Sequence, residues 1–235
     1  MALTLAACGG GGSGDDNELE SAFTVIGQKT FTAQTANQGS TTPSDSSLNS
    51  PRGNTAVNDT MMFVADYANN RVLGWSSIPT SNGASADIVL GQGGDFTTKT
   101  AATTQAGLAQ PNGVFVNDSY LVVADTGNNR VLIWTPVPTS SSTLPTVVIG
   151  QSSVTTATAG TGTNIAAATL NGPTAAIIAG GKLVVADRGN NRVLIWNTVP
   201  TTSGAGANLV LGQEDFVSSL HDDEEYSLYT PSSLW

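Results

Sequence analysis

An all-β fold of repeated four-stranded units is predicted by three observations: a near-identical block that recurs three times, four short apolar runs within each unit, and a composition rich in turn formers. The chain has 235 residues, of which 26 are Gly, 10 are Pro, 39% are hydrophobic and only 11% are charged. Sparse charge with runs of Ser, Thr and Asn suits short strands joined by turns. Helices would want Ala, Leu, Glu and Lys throughout.

The first element is not part of that fold. Leu5-Ala6-Ala7-Cys8 resembles the lipobox of bacterial lipoproteins, which implies that Cys8 is lipid-modified and the protein exported to the cell envelope. Only seven residues precede Cys8 and none is basic, whereas an export signal carries a basic n-region and an apolar h-region of about 7–15 residues. Residues 1–8 therefore read as a truncated signal. Residues 9–22, opening on Gly9 to Gly12 and turning acidic at Asp15 and Asp16, read as a flexible tether. The chain would then be anchored to a membrane rather than spanning it, since no apolar run approaches the roughly 20 residues a span needs. Cys8 is the only cysteine, so no intrachain disulfide forms.

The repeats occupy residues 23–235. Phe63 to Trp75 (FVADYANNRVLGW), Leu121 to Trp134 (LVVADTGNNRVLIW) and Leu183 to Trp196 (LVVADRGNNRVLIW) nearly superimpose. Trp75, Trp134 and Trp196 follow Asp66, Asp125 and Asp187 by nine positions each, and Gln92, Gln151 and Gln213 follow those tryptophans by seventeen. Such spacings mark rigid structure. From Gln28, Gln92, Gln151 and Gln213 to the next repeat's proline (Pro51, Pro111, Pro173, Pro231) the separations are 23, 19, 22 and 18 residues, which marks a loop.

Within the second unit the apolar runs are Gly113 to Val116, Tyr120 to Ala124, Arg130 to Trp134 and Thr146 to Ile149. Four short strands per unit, rich in Val and Ile and with little polar alternation, describe a propeller blade covered on both faces by its neighbours. The blades run over about 51–92, 111–151 and 173–213. The pattern P-x-G-x-x-V…L-x-V-A-D-x-x-N-N-R-V-L-x-W resembles the NHL repeat, with Asn70, Asn129 and Asn191 where the name-giving His often stands. The resemblance covers most of residues 23–235 and implies a six-bladed β-propeller. The expected fold is thus an all-β NHL-type propeller with three complete four-stranded blades and a partial fourth at 231–235, an open arc of a six-bladed ring. Pro231 to Trp235 aligns with Pro111 to Phe115, the approach to a first strand, and Phe23 to Ile26 reads as a strand placed to complete a last blade. Open blade edges would favour self-association.

Function would sit on one rim. In an antiparallel four-stranded blade the turn between strands two and three shares a face with the loop to the next blade, and variable loops on a rigid scaffold carry recognition. The candidate binding rim comprises loops 29–50, 93–110 and 152–172 with Arg71, Arg130, Arg192, Asn70, Asn129 and Asn191. The other reading of those six is structural: Asn suits tight turns, and each Arg can pair with a blade Asp. Catalytic and metal constellations are not found. His221, the only histidine, lies in Leu220-His221-Asp222-Asp223-Glu224-Glu225, which reads as a solvated acidic loop, and common zinc sites need three or four ligands brought together. No cofactor is implied. A net charge of -10, from 18 acids against 8 bases, argues against nucleic acid. The expected partner is a protein, peptide or glycan; the alternative is a propeller enzyme of lyase or metal-dependent lactonase type.

Overall fold

The computed structural model describes residues 22–220, 225 and 227–234. Cys8, the 1–8 signal, most of the 9–22 tether, His221 with the three acids that follow it, and Trp235 lie outside the described residues.

Each repeat forms one antiparallel sheet, in chain order across the sheet. The first holds β1 (Pro51–Val57), β2 (Met62–Asp66), β3 (Arg71–Trp75) and β4 (Ile88–Leu90). The second holds β5 (Val114–Val116), β6 (Leu121–Asp125), β7 (Arg130–Trp134) and β8 (Val147–Ile149). The third holds β9 (Ala175–Ala179), β10 (Lys182–Asp187), β11 (Arg192–Trp196) and β12 (Leu209–Leu211). Every expected strand of the second unit is present to within one residue. Phe23 to Ile26 and residues 231–234 form no strand, because among the described residues no third or second strand stands beside them to pair with.

The strands form where β-branched residues cluster, and they stop where the turn residues begin. Strands β2, β3, β6 and β7 are buried along their whole length, since the first and second sheets are covered on both faces. One face of the first sheet (Phe63, Ala65, Val72, Ile88, Leu90) packs on Leu121, Val123, Leu132 and Trp134 of the second. The other face of the second (Val122, Val131, Ile133, Val147, Ile149) packs on Leu183, Val185, Leu194 and Trp196 of the third. Burial of this kind contributes roughly 25 cal/mol per Å² of apolar surface, and it is what holds one unit to the next. Trp134 and Trp196 stand at sheet junctions, and the indole N–H of each repeat's tryptophan donates to a carbonyl nine residues on: Trp75 to Ala84, Trp134 to Thr143 and Trp196 to Ala205 (3.2, 3.0 and 3.0 Å).

The first strands β1, β5 and β9 lie side by side, the propeller-like arrangement of four-stranded sheets about a common axis. Glycine permits the approach. A Cβ on Gly53 would lie 2.4 Å from the Asn112 carbonyl oxygen, and one on Gly113 would lie 2.6 Å from that of Thr174.

Candidate functional site

The turn after each second strand repeats almost atom for atom. Asp66, Asp125 and Asp187 end their strands, one 3₁₀ turn follows (Tyr67–Asn69, Thr126–Asn128, Arg188–Asn190), and Asn70, Asn129 and Asn191 then take left-handed backbone at φ 53°, 51° and 53°. Asn adopts that conformation at low cost. The next residue, Arg, faces the Asp across the hairpin: Asp66 opposite Arg71, Asp125 opposite Arg130, Asp187 opposite Arg192.

All three Asp–Arg pairs are fully buried, with Arg Nε donating to Asp Oδ2 at 2.7 Å. The same Oδ2 accepts from Asn69, Asn128 or Asn190 at 2.8 Å. The other oxygen accepts from the backbone N–H of Asn49, Ala109 or Asn171. Burial pushes these carboxyls above the ordinary carboxylate range, opposed first by the charge of the paired arginine and then by the N–H donors. The carboxylate therefore depends on its arginine.

The rest of each guanidinium ties loops together. Arg71 donates from Nη1 to the Phe96 carbonyl and from Nη2 to those of Ser44 and Ser47. Arg130 reaches Val154, Thr104 and Gly107, and Arg192 reaches Phe216, Ala166 and Thr169. Each arginine thus clamps the long loop before its blade to the long loop after it, using four of the five N–H donors an arginine has. Asn70, Asn129 and Asn191 act alike. Their side-chain amides donate to Lys99, Ala157 and Ser219, and their oxygens accept from the N–H of Gln110, Gly172 and Thr230. Gln92 and Gln151 close the arrangement, each donating to the turn's Asn carbonyl and exchanging two bonds with a loop residue, Thr100 or Thr158.

The turns and the variable loops therefore do share one rim. The expectation that Arg71, Arg130 and Arg192 present themselves on its surface is corrected: they are 0% exposed, because the loops fold over them. The asparagines are half-buried and occupied with loop backbone. Besides Ala68, Gly127 and Gly189, the turns offer to the outside the residue after each Asp, namely Tyr67, Thr126 and Arg188, together with Arg52, whose guanidinium stacks 3.8 Å from the Tyr67 ring centre. Thr126 donates to the Pro173 carbonyl at 2.6 Å, which places this position beside the next blade's first strand. Sequence reasoning missed it, although it is the turn position where Tyr, Thr and Arg replace one another.

Below the rim, β1, β5, β9 and residues 232–234 line an open cleft of about 390 Å³. None of its lining residues is titratable. No group of three or more His, Cys, Asp or Glu side chains that could hold a metal gathers among the described residues, and no helix among them is long and apolar enough to cross a membrane.

No family model matches the chain, and no curated protein does. Among solved structures it is similar to the computationally designed Ika8 protein, at 10% identity and a TM-score of 0.39 over 72% of this chain and 39% of that one. It is also similar to the glutaminyl cyclase of Myxococcus xanthus, at 10% identity and 0.37 over 65% and 50%. A third is the virginiamycin B lyase of Staphylococcus aureus, at 16% identity and 0.31 over 68% and 54%. The chain spans less than two thirds of each of these proteins.

Proposed function

We propose that this chain is a binding scaffold of NHL-repeat type, held at the bacterial cell envelope through Cys8, that captures a protein, peptide or glycan on its loop-bearing rim. The observation that carries the reading is the division of labour at the rim. The invariant Asp, Asn, Arg and Gln are spent on holding loops 29–50, 93–110 and 152–172 in place, while those loops and the turn positions Tyr67, Thr126 and Arg188 vary. A scaffold that fixes variable surface is the physical form of a recognition module. Fold alone does not give function, so the test is direct.

The chain is applied to an array of immobilised oligosaccharides and to a displayed peptide library, alongside a variant with Arg52→Ala, Tyr67→Ala, Thr126→Ala and Arg188→Ala. These residues are exposed or half-buried, so the fold should survive. Loss of about tenfold or more in affinity, roughly 1.4 kcal/mol, is expected for any ligand retained. Undiminished capture by the variant would remove the rim from consideration. The anchoring is tested separately, by feeding producing cells an alkyne fatty acid: label is expected on the chain and absent from Cys8→Ser, and equal labelling of both would sink it.

A further inference from the structure

Loop 152–172, one of the variable rim loops, and the turn at Ser203 and Gly204 between β11 and β12 enclose an open cleft of about 500 Å³. Small-molecule sites hold roughly 300–1,000 Å³. The walls come from the second and third sheets and the loop that joins them, so the cleft is complete within the array.

The room is made by the loop's own sequence. Arg130 binds the carbonyls of Thr104 and Gly107 in loop 93–110, and Arg192 binds those of Ala166 and Thr169 in loop 152–172. Aligned at these points, Gln105 of the earlier loop corresponds to Ala167 of the later one. Gln105 reaches across to donate to the Pro145 carbonyl at 3.3 Å. Ala167 has no such reach, and its carbonyl accepts from the Ala207 N–H at 2.9 Å. The later loop is also longer, at 21 residues against 18, and carries the 3₁₀ turn Gly162–Asn164, whose Asn164 lines the cleft.

The lining is polar and neutral, with no titratable and no aromatic side chain. Some of its hydroxyls already have partners: Thr156 donates to the Ser153 carbonyl, Ser203 accepts from the Val148 N–H, and Thr169 accepts from the Ala166 N–H. The exposed side chains of Ser152, Thr158 and Asn164 make no hydrogen bond to any other described residue. Ala159 and Ala168 supply the apolar part of the wall. The backbone around these groups is held in place: Thr158 exchanges two bonds with Gln151, and the Gly160 N–H donates to the Leu170 carbonyl at 2.9 Å. A site fixed before its ligand arrives loses less on binding.

This chemistry selects among ligands. A charged group would leave water with no counter-charge to meet it. A peptide beside a sheet pairs with an open strand edge, and here the edge of β8 is closed: Val148, its central residue, donates to Ser203 Oγ at 3.1 Å and accepts from the Gly204 N–H at 2.9 Å. A polyhydroxyl molecule, in contrast, both donates to and accepts from the hydroxyls and the amide that stand unpaired. We infer that the cleft between loop 152–172 and the Ser203–Gly204 turn binds a neutral sugar unit of a glycan through Ser152, Thr158 and Asn164. The inference rests on the reading of the rim loops as a recognition surface and narrows its ligand to an uncharged carbohydrate.

The experiment titrates the full chain, labelled for amide NMR, with maltose, cellobiose, lactose and N,N′-diacetylchitobiose, and with the sulfated form of each. Saturable shifts are expected at Thr156, Thr158, Asn164 and Gly204 with a neutral sugar, at an affinity about tenfold or more above that of its sulfated form. Two variants alter exposed positions only. Ser152→Ala/Thr158→Ala/Asn164→Ala removes the unpaired polar groups, and Ser152→Trp fills the opening. Each should weaken binding by about tenfold or more while the amide signals of the three sheets stay in place. The absence of any shift with these sugars overturns the inference, as does binding that is equal for the sulfated forms or undiminished in both variants. Shifts confined to Tyr67, Thr126 and Arg188, or peptide capture with no sugar shift, overturn it too but leave the rim reading standing. Cleft binding that survives Arg52→Ala, Tyr67→Ala, Thr126→Ala and Arg188→Ala together supports the cleft and removes only those turn positions.

Discussion

Arg130→Ala is expected to destabilise the fold by about 3–5 kcal/mol, read as a fall in the midpoint of urea unfolding. The guanidinium is wholly buried and holds four partners at once: the Asp125 carboxylate and the carbonyls of Val154, Thr104 and Gly107. Removing it leaves a carboxyl already pushed up by burial without the charge that opposes the push, and takes a donor from the carbonyls of Val154, Thr104 and the buried Gly107. Arg130→Lys should recover little, because one ammonium cannot reproduce a planar fork that reaches two loops. Arg188→Ala, at an exposed site, is the control and should shift stability by less than about 0.5 kcal/mol. Should Arg130→Ala and Arg188→Ala unfold at the same urea concentration, the clamp would be an ornament of the turn and not its support.

That contrast also separates what was legible in the sequence from what was not. The strands were legible because their apolar runs recur at fixed spacing: the second unit's expected third strand, Arg130 to Trp134, is β7 without a residue's difference. The side of the sheet on which the turns and loops meet was legible from antiparallel order alone. The burial of the arginines was not. An Asp and an Arg five residues apart across a hairpin pair equally well in water or under cover, and the cover here comes from loops of unequal length and unrelated sequence. A trace existed all the same: in a chain with few charges, the only cations that repeat in every unit are these three, and what repeats in every unit serves the scaffold. The position left to vary between Asp and Asn was the better candidate for recognition.

The same comparison between units explains an oddity in the first one. Gly74 interrupts a strand, where glycine costs about 0.5–1 kcal/mol against alanine and packs nothing. Its counterparts are Ile133 and Ile195, and each stands opposite a valine, Val122 or Val184. Gly74 instead stands opposite Phe63, which is fully buried. A Cβ at position 74 would lie 2.6 Å from Phe63 Cε1 and 3.3 Å from Ile88 Cβ, so the ring fills the volume that an isoleucine fills in the other two units. Gly74→Ile alone is expected to overpack the junction at a cost of about 3 kcal/mol. Phe63→Val alone should leave a cavity costing about 2–4 kcal/mol. Combined, they recreate the Val–Ile pair of the second and third units and should lie within about 1.5 kcal/mol of the parent. The double-mutant cycle in urea should therefore return a coupling of at least about 2 kcal/mol, whereas additive losses would mean that the units tolerate only their own side chains and that their packing is not interchangeable.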